Sequence, residues 1–114
     1  MIEAIVISYL KRETEIPTYA ERPKNPDAEY LLIERTGSGE SDLIQKVTIA
    51  VQSYADSMYR AAEINELVEK TMKGITDLEN ISKCTKNSSY NYTDTESKKY
   101  RYQAVFNLTY TEGE

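Results

Sequence analysis

A chain of 114 residues with 39% hydrophobic and 29% charged side chains suits one packed domain and is too short for two. It has no histidine, one cysteine and a net charge of −5. Those counts exclude imidazole catalysis, a Cys/His zinc site and an internal disulfide, and they argue against generic binding to nucleic-acid phosphates.

Met1 to Lys11 carries Glu3 and lacks both a basic start and a small-residue cleavage site, so it does not read as a signal peptide. No apolar run approaches the ~20 residues needed to span a bilayer, so no membrane partner is expected. With a lone cysteine, nothing points to an oxidising compartment. The Asn-x-Ser/Thr triplets at Asn87, Asn91 and Asn107 then read as chance.

Ile2, Ile5, Val6, Tyr9 and Leu10 recur at helical spacing and predict an amphipathic helix ending near Glu13. Pro17, Pro23 and Pro26 follow within ten residues, which predicts a long stiff loop with room for a short edge strand at Thr18–Tyr19. Loops of this length in small domains are commonly functional, so Pro23 and Pro26 are candidate partner contacts.

Glu29 to Thr36 reads as a strand, Gly37 to Ser41 as a glycine-rich turn, and Leu43 to Tyr54 as a second strand. In the latter, Val47, Ile49 and Val51 alternate with Thr48, Ala50 and Gln52. Gly37 and Gly39, at the expected hairpin tip, are further candidate partner contacts. Ser53 or Ser57 is placed to cap the next helix. Its expected buried stripe is Ala61, Ile64, Leu67, Val68, Thr71, Met72 and Ile75. Glu66–Lys70 and Glu69–Lys73 are i, i+4 pairs, and Gly74 is placed as a left-handed C-terminal residue. Ile81 to Tyr92 and Lys99 to Thr111 read as a last hairpin around the polar turn Thr93 to Ser97. Tyr100, Tyr102, Ala104, Phe106, Leu108 and Tyr110 share one face of its second strand. The expected fold is α+β: a mainly antiparallel sheet of about four strands with helices packed on one face.

No pattern of residues suggests catalysis, a cofactor or a metal site, and a non-enzyme is expected. Gly37-Ser38-Gly39 lacks the length and the lysine of a phosphate loop. Cys84 lies in a predicted strand and reads as a small core residue. Ten tyrosines require an account. Tyr90, Tyr92, Tyr100 and Tyr102 lie among Lys83, Lys86, Lys98, Lys99 and Arg101. Three readings stay open: cross-strand packing, a subunit interface, or stacking of single-stranded nucleic acid. Charge is also uneven, since Ile81 to Thr111 carries five basic and two acidic side chains within an acidic chain. Such segregation suits contacts between unlike surfaces of one subunit type, or is merely a solvated surface.

The stretches Tyr30 to Ile44 (YLLIERTGSGESDLI), Val47 to Val68 (VTIAVQSYADSMYRAAEINELV) and Asn87 to Tyr110 (NSSYNYTDTESKKYRYQAVFNLTY) resemble the tail terminator proteins of long-tailed bacteriophages, also labelled tail completion or minor capsid proteins. The resemblance covers nearly the whole chain in order. It implies a homo-hexameric ring at the head-proximal end of the tail, in the virion and assembled in the bacterial cytoplasm. Such a ring sits on the tail-tube protein, stops tube growth and meets a head-side connector. It implies no sequence-specific nucleic acid. Within a ring, Lys98, Lys99 and Arg101 on one copy would meet Glu63, Glu66 and Glu69 on the next. The alternatives are a head–tail connector or neck protein, and a small module binding single-stranded nucleic acid or a ligand.

Overall fold

The computed structural model describes residues 1–41 and 44–111. The elements run α1 (Ile2–Thr14), β1 (Thr18–Tyr19), β2 (Tyr30–Ser41), β3 (Ile44–Ala55), α2 (Met58–Met72), a 3-10 turn (Ile75–Asp77), β4 (Ile81–Asn91) and β5 (Tyr100–Tyr110). The strands form one sheet in the order β1-β2-β3-β5-β4. Only β1 is parallel to its neighbour; the other pairings are antiparallel. The architecture is α+β, as the periodicities predict, and the short edge strand at Thr18–Tyr19 is its fifth strand.

Both helices lie on one face of the sheet. Ile2, Val6 and Leu10 of α1 and Ala61, Ile64, Val68 and Met72 of α2 share a core with Leu31, Ile33, Val47, Ile49, Val51, Phe106 and Leu108. Burying a side chain of this kind contributes about 1.5–3 kcal/mol, so the apolar stripes of the two helices hold the layers together. The helix–helix contact includes the Tyr9 hydroxyl, which donates to the Thr71 carbonyl at 2.8 Å.

α1 stops at Glu15, whose φ of 60° is left-handed without a glycine, and whose N–H returns to the Lys11 carbonyl. Ser57, not Ser53, caps α2 by accepting from the Arg60 N–H at 3.1 Å. Ser53 is instead wholly buried in β3.

Four expectations are corrected. Gly37 to Ser41 is not a turn: it continues β2 and pairs in register with β3, from Gly37 opposite Thr48 to Ser41 opposite Ile44. Glycine and serine punctuate exposed bulged strands as readily as turns, and a register shift here makes Thr36 an extra residue. The expected strand start at Leu43 lies outside the described residues. Leu67 is 39% exposed and not part of the α2 stripe, because it lies one residue off the Ile64–Val68 line. Gly74 is not left-handed (φ −91°); what requires glycine there is space, since an added Cβ would lie 2.9 Å from the Tyr9 hydroxyl. Finally, neither expected i, i+4 ion pair on α2 forms among the described residues, and Glu69 turns to β4 instead.

Candidate functional site

Two polar clusters and two free strand edges stand out. The first cluster crosses the helix-free face at the Tyr54 end of the sheet. There Arg101 donates to the Tyr54 hydroxyl (2.8 Å), which donates to Gln52 Oε1 (3.1 Å). Gln52 Nε2 donates to Gln103 Oε1 (2.8 Å), whose own amide donates to the Tyr90 hydroxyl. The chain of bonds ties β3, β5 and β4 together because Gln52 lies opposite Gln103, and Tyr54 opposite Arg101. Gln52 and Gln103 are buried without a helix above them, so their amides satisfy one another. The Arg101 guanidinium also lies 4.4 Å from the Tyr92 ring centroid and 5.7 Å from that of Tyr54. Arg22 approaches Tyr54 from the proline loop at 5.9 Å.

Beside this cluster an open cleft of about 350 Å³ is bounded by Pro26, Asp27, Tyr30, Tyr54, Lys98 and Lys99. The structure thus brings the candidates Pro26, Lys98 and Lys99 to one end of the sheet, whereas Pro23 is half-buried and does not line the cleft. Lys98 takes the left-handed conformation (φ 55°) in the β4–β5 turn. Asp94 begins that turn by accepting from the N–H groups of Glu96 and Ser97. Bonds from Ser97 and from these backbone N–H groups hold its carboxyl below the ordinary range.

The second cluster joins α2 to β4 on the helix-covered face. Asn65 donates to Glu69 (3.0 Å) and to Ser89 Oγ (2.7 Å), Ser89 donates to Glu69 (2.6 Å), and Lys86 pairs with Glu69 at 2.9 Å. Burial pushes the Glu69 carboxyl up, but Ser89, the Lys86 charge and Asn65 outweigh it and hold it below the usual value. Asn65 is 3% exposed and its Oδ1 has no hydrogen-bond partner among the described residues. Next to this cluster a cleft of about 540 Å³ has Lys70, Lys73 and Lys86 facing Glu66 and Glu69 over Met72.

The acidic candidates therefore divide. Glu69 is committed to β4, Glu63 accepts from Arg60 at 3.4 Å, and Glu66 is exposed. No ion pair joins Glu63, Glu66 or Glu69 to Lys98, Lys99 or Arg101 within the chain, among the described residues. Gly37 and Gly39 lie exposed along the β2–β3 arm. Sequence does not single out Arg22, Tyr30, Tyr54, Asn65 and Ser89; apart from Gln52 for Tyr54 and Glu69 for Asn65, the partners named for them lie on other elements.

Cys84 is half-buried against the core, and burial pushes its thiol up to about 11, away from nucleophilic reactivity. Among the described residues no group of three or more Cys, Asp or Glu is placed to hold a metal ion, and no helix is long and apolar enough to cross a membrane. No protein-family model matches the chain, and no curated protein matches it.

Proposed function

We propose that this protein is a virion assembly component of the tail-terminator kind: a ring at the head-proximal end of a phage tail that stops tube polymerisation and joins the tail to a head-side connector. The observation that carries the reading is the open sheet. Its helices lie on one face, its two lateral edges lack strand partners among the described residues over most of their length, and its end loops gather Pro26, Lys98 and Lys99 in one cleft. A sheet with a free edge on either side suits repeated lateral contact between copies, a heterologous contact that closes by rotation. The sequence resemblance supplies the role, and the clusters of buried polar groups read as structural because their members bond to one another.

The test is negative-stain imaging of the protein mixed with assembling tail-tube subunits from the same genome. Tubes capped at one end and limited in length are expected. Tubes of unchanged length with bare ends would remove this role and favour a connector or a binding module.

A further inference from the structure

The two free edges share one irregularity, and β4 carries a second at Ser82, outside the matched stretch. Alternation fixes which backbone groups point outward. On β2 the Leu31 N–H donates outward to Pro17, so Ile33 and Arg35 also point outward; β1 takes up this edge as far as the Tyr19–Leu32 pair and the Ile33 N–H with it, so the free edge begins at Arg35. The bulge at Thr36 then shifts the outward set to Ser38 and Glu40. On β4 the Tyr92 N–H bonds inward to Arg101, so Asn91 and Ser89 point outward. The register shift between Lys86 and Ser88 makes Asn87 the extra residue and leaves Lys86 and Cys84 outward.

The free outward residues are thus 35, 38 and 40 on β2, and 84, 86, 89 and 91 on β4. From 35 to 40 the spacing is three and two residues, and from 89 back to 84 it is the same. A bulged edge pairs poorly with an ordinary strand, which is how single sheets avoid adventitious partners. An edge with the same spacing is the exception, because bulge then faces bulge and every outward pair stays in step.

Resting on the ring-forming reading above, we propose that β4 of one copy adds to β2 of the next. Ser89 lies opposite Arg35, Lys86 opposite Ser38 and Cys84 opposite Glu40, with Asn91 beyond the free edge of β2, where β1 begins. Rotation about an axis along the strands keeps strand direction. Since β2 runs against β3, β3 against β5 and β5 against β4, the junction is antiparallel. The helix faces also stay on one side: Ile33 and Arg35 contact the core and α1, while Lys86 and Ser89 contact α2.

Closure, rather than charge, selects this pairing over its symmetric competitors. Charges at the junction are mixed: Arg35 of the neighbour, paired with its own Glu3, comes beside Ser89 and the Glu69 carboxylate but also diagonal to Lys86, whose other diagonal neighbour is Glu40. Two β4 strands or two β2 strands would match in spacing as well, but each of those pairings is two-fold and ends at a dimer, from which no ring is built. The β4–β2 contact also leaves each copy with one edge of each kind, so it repeats until a ring closes.

Cysteine trapping tests the register. In a Cys84→Ala background, Ser38→Cys with Lys86→Cys places two thiols on directly opposed residues, with Cα atoms about 5.5 Å apart and within disulfide reach. Ser38→Cys with Asn91→Cys is out of register by five residues, or ~16 Å. Glu40→Cys against the native Cys84 is a second in-register pair needing one substitution at an exposed site. Each is oxidised at high concentration, alone and with tube subunits, with the fold checked by circular dichroism.

Loss of monomer into a covalent ladder is expected from both in-register pairs and not from the displaced one. Monomer throughout, or an equal ladder from the displaced pair, overturns the interface. A dimer from Lys86→Cys alone would assign β4 to a two-fold contact and also overturn it. Ladders without capped tubes leave the interface standing and remove the terminator role; capped tubes without ladders do the reverse.

Discussion

The Tyr30 and Tyr54 rings stack 4.5 Å apart and within 6° of parallel on the helix-free face, directly opposed across β2 and β3. Both residues are almost wholly buried, with no helix above them. The stack, the Arg22 and Arg101 guanidiniums beside it and the Gln52–Gln103 pair make a small second core. Tyr54→Ala is expected to cost about 3–5 kcal/mol, as for other buried aromatic truncations. Tyr54→Phe keeps the stack but strands Gln52 Oε1, and is expected to cost about 1–2 kcal/mol. Urea unfolding of the three proteins, read at constant m-value, measures both steps.

Glu69 sets an acid-side limit on stability. Its folded acidity lies below the ordinary Glu value of 4.5, so its contribution is complete above that pH and is lost as pH falls through the lower folded value. Wild type should therefore lose stability below about pH 4.5 more steeply than Glu69→Gln. At pH 7 the variant should be weaker by about 1–2 kcal/mol, since Ser89, Lys86 and Asn65 lose a charged acceptor. Parallel unfolding slopes for the two proteins between pH 3 and 6 would contradict this.

Gly74 and Tyr9 are coupled through space. Gly74→Ala is compatible with the backbone but pushes against the Tyr9 hydroxyl and its bond to Thr71, so a loss of about 1–2 kcal/mol is expected. In a Tyr9→Phe background the same substitution should be neutral within about 0.5 kcal/mol, because the obstructing oxygen is gone. A double-mutant cycle with no coupling energy would show the close approach to be irrelevant.

The Cys84 thiol, raised to about 11, should exchange slowly with a disulfide reagent in the folded protein near pH 8 and rapidly once urea exposes it. The folded rate should keep rising above pH 9, where an unfolded thiol with an ordinary value has levelled off. Stopped-flow reaction with a chromogenic disulfide reads both rates.

Most of the layer order was legible because period 2 and period 3.6 report directly on which side of an element meets the core. Val47, Ile49 and Val51 face α2 as their alternation requires, and Ile64, Val68 and Met72 face the sheet. The extent of β2 was not legible, since Gly37 and Gly39 in an exposed bulged strand carry the same composition as a turn. The polar clusters were invisible for another reason. Gln52 meets Gln103 across 51 residues and Asn65 meets Ser89 across 24, and alternation names a face without naming the neighbour on it. The pairing of basic and acidic side chains expected from segment charge is one between copies. Within the chain, Arg101 and Glu69 have tyrosine, serine and lysine partners that segment charge does not resolve.

The strand order has a kinetic consequence. β2–β3 and β4–β5 are each local hairpins, yet they join at the centre of the sheet, where β3 pairs with β5 across 45 to 65 residues of chain. Closing so distant a pair comes before most of the core contacts that reward it, so folding belongs on the millisecond-to-second scale of non-local sheets. Until that central seam closes, the inner edges of β3 and β5 offer unpaired backbone groups to other chains. A newly made molecule is therefore most vulnerable to strand-to-strand aggregation at its middle, whereas the mature one offers unpaired strand edges at its rims.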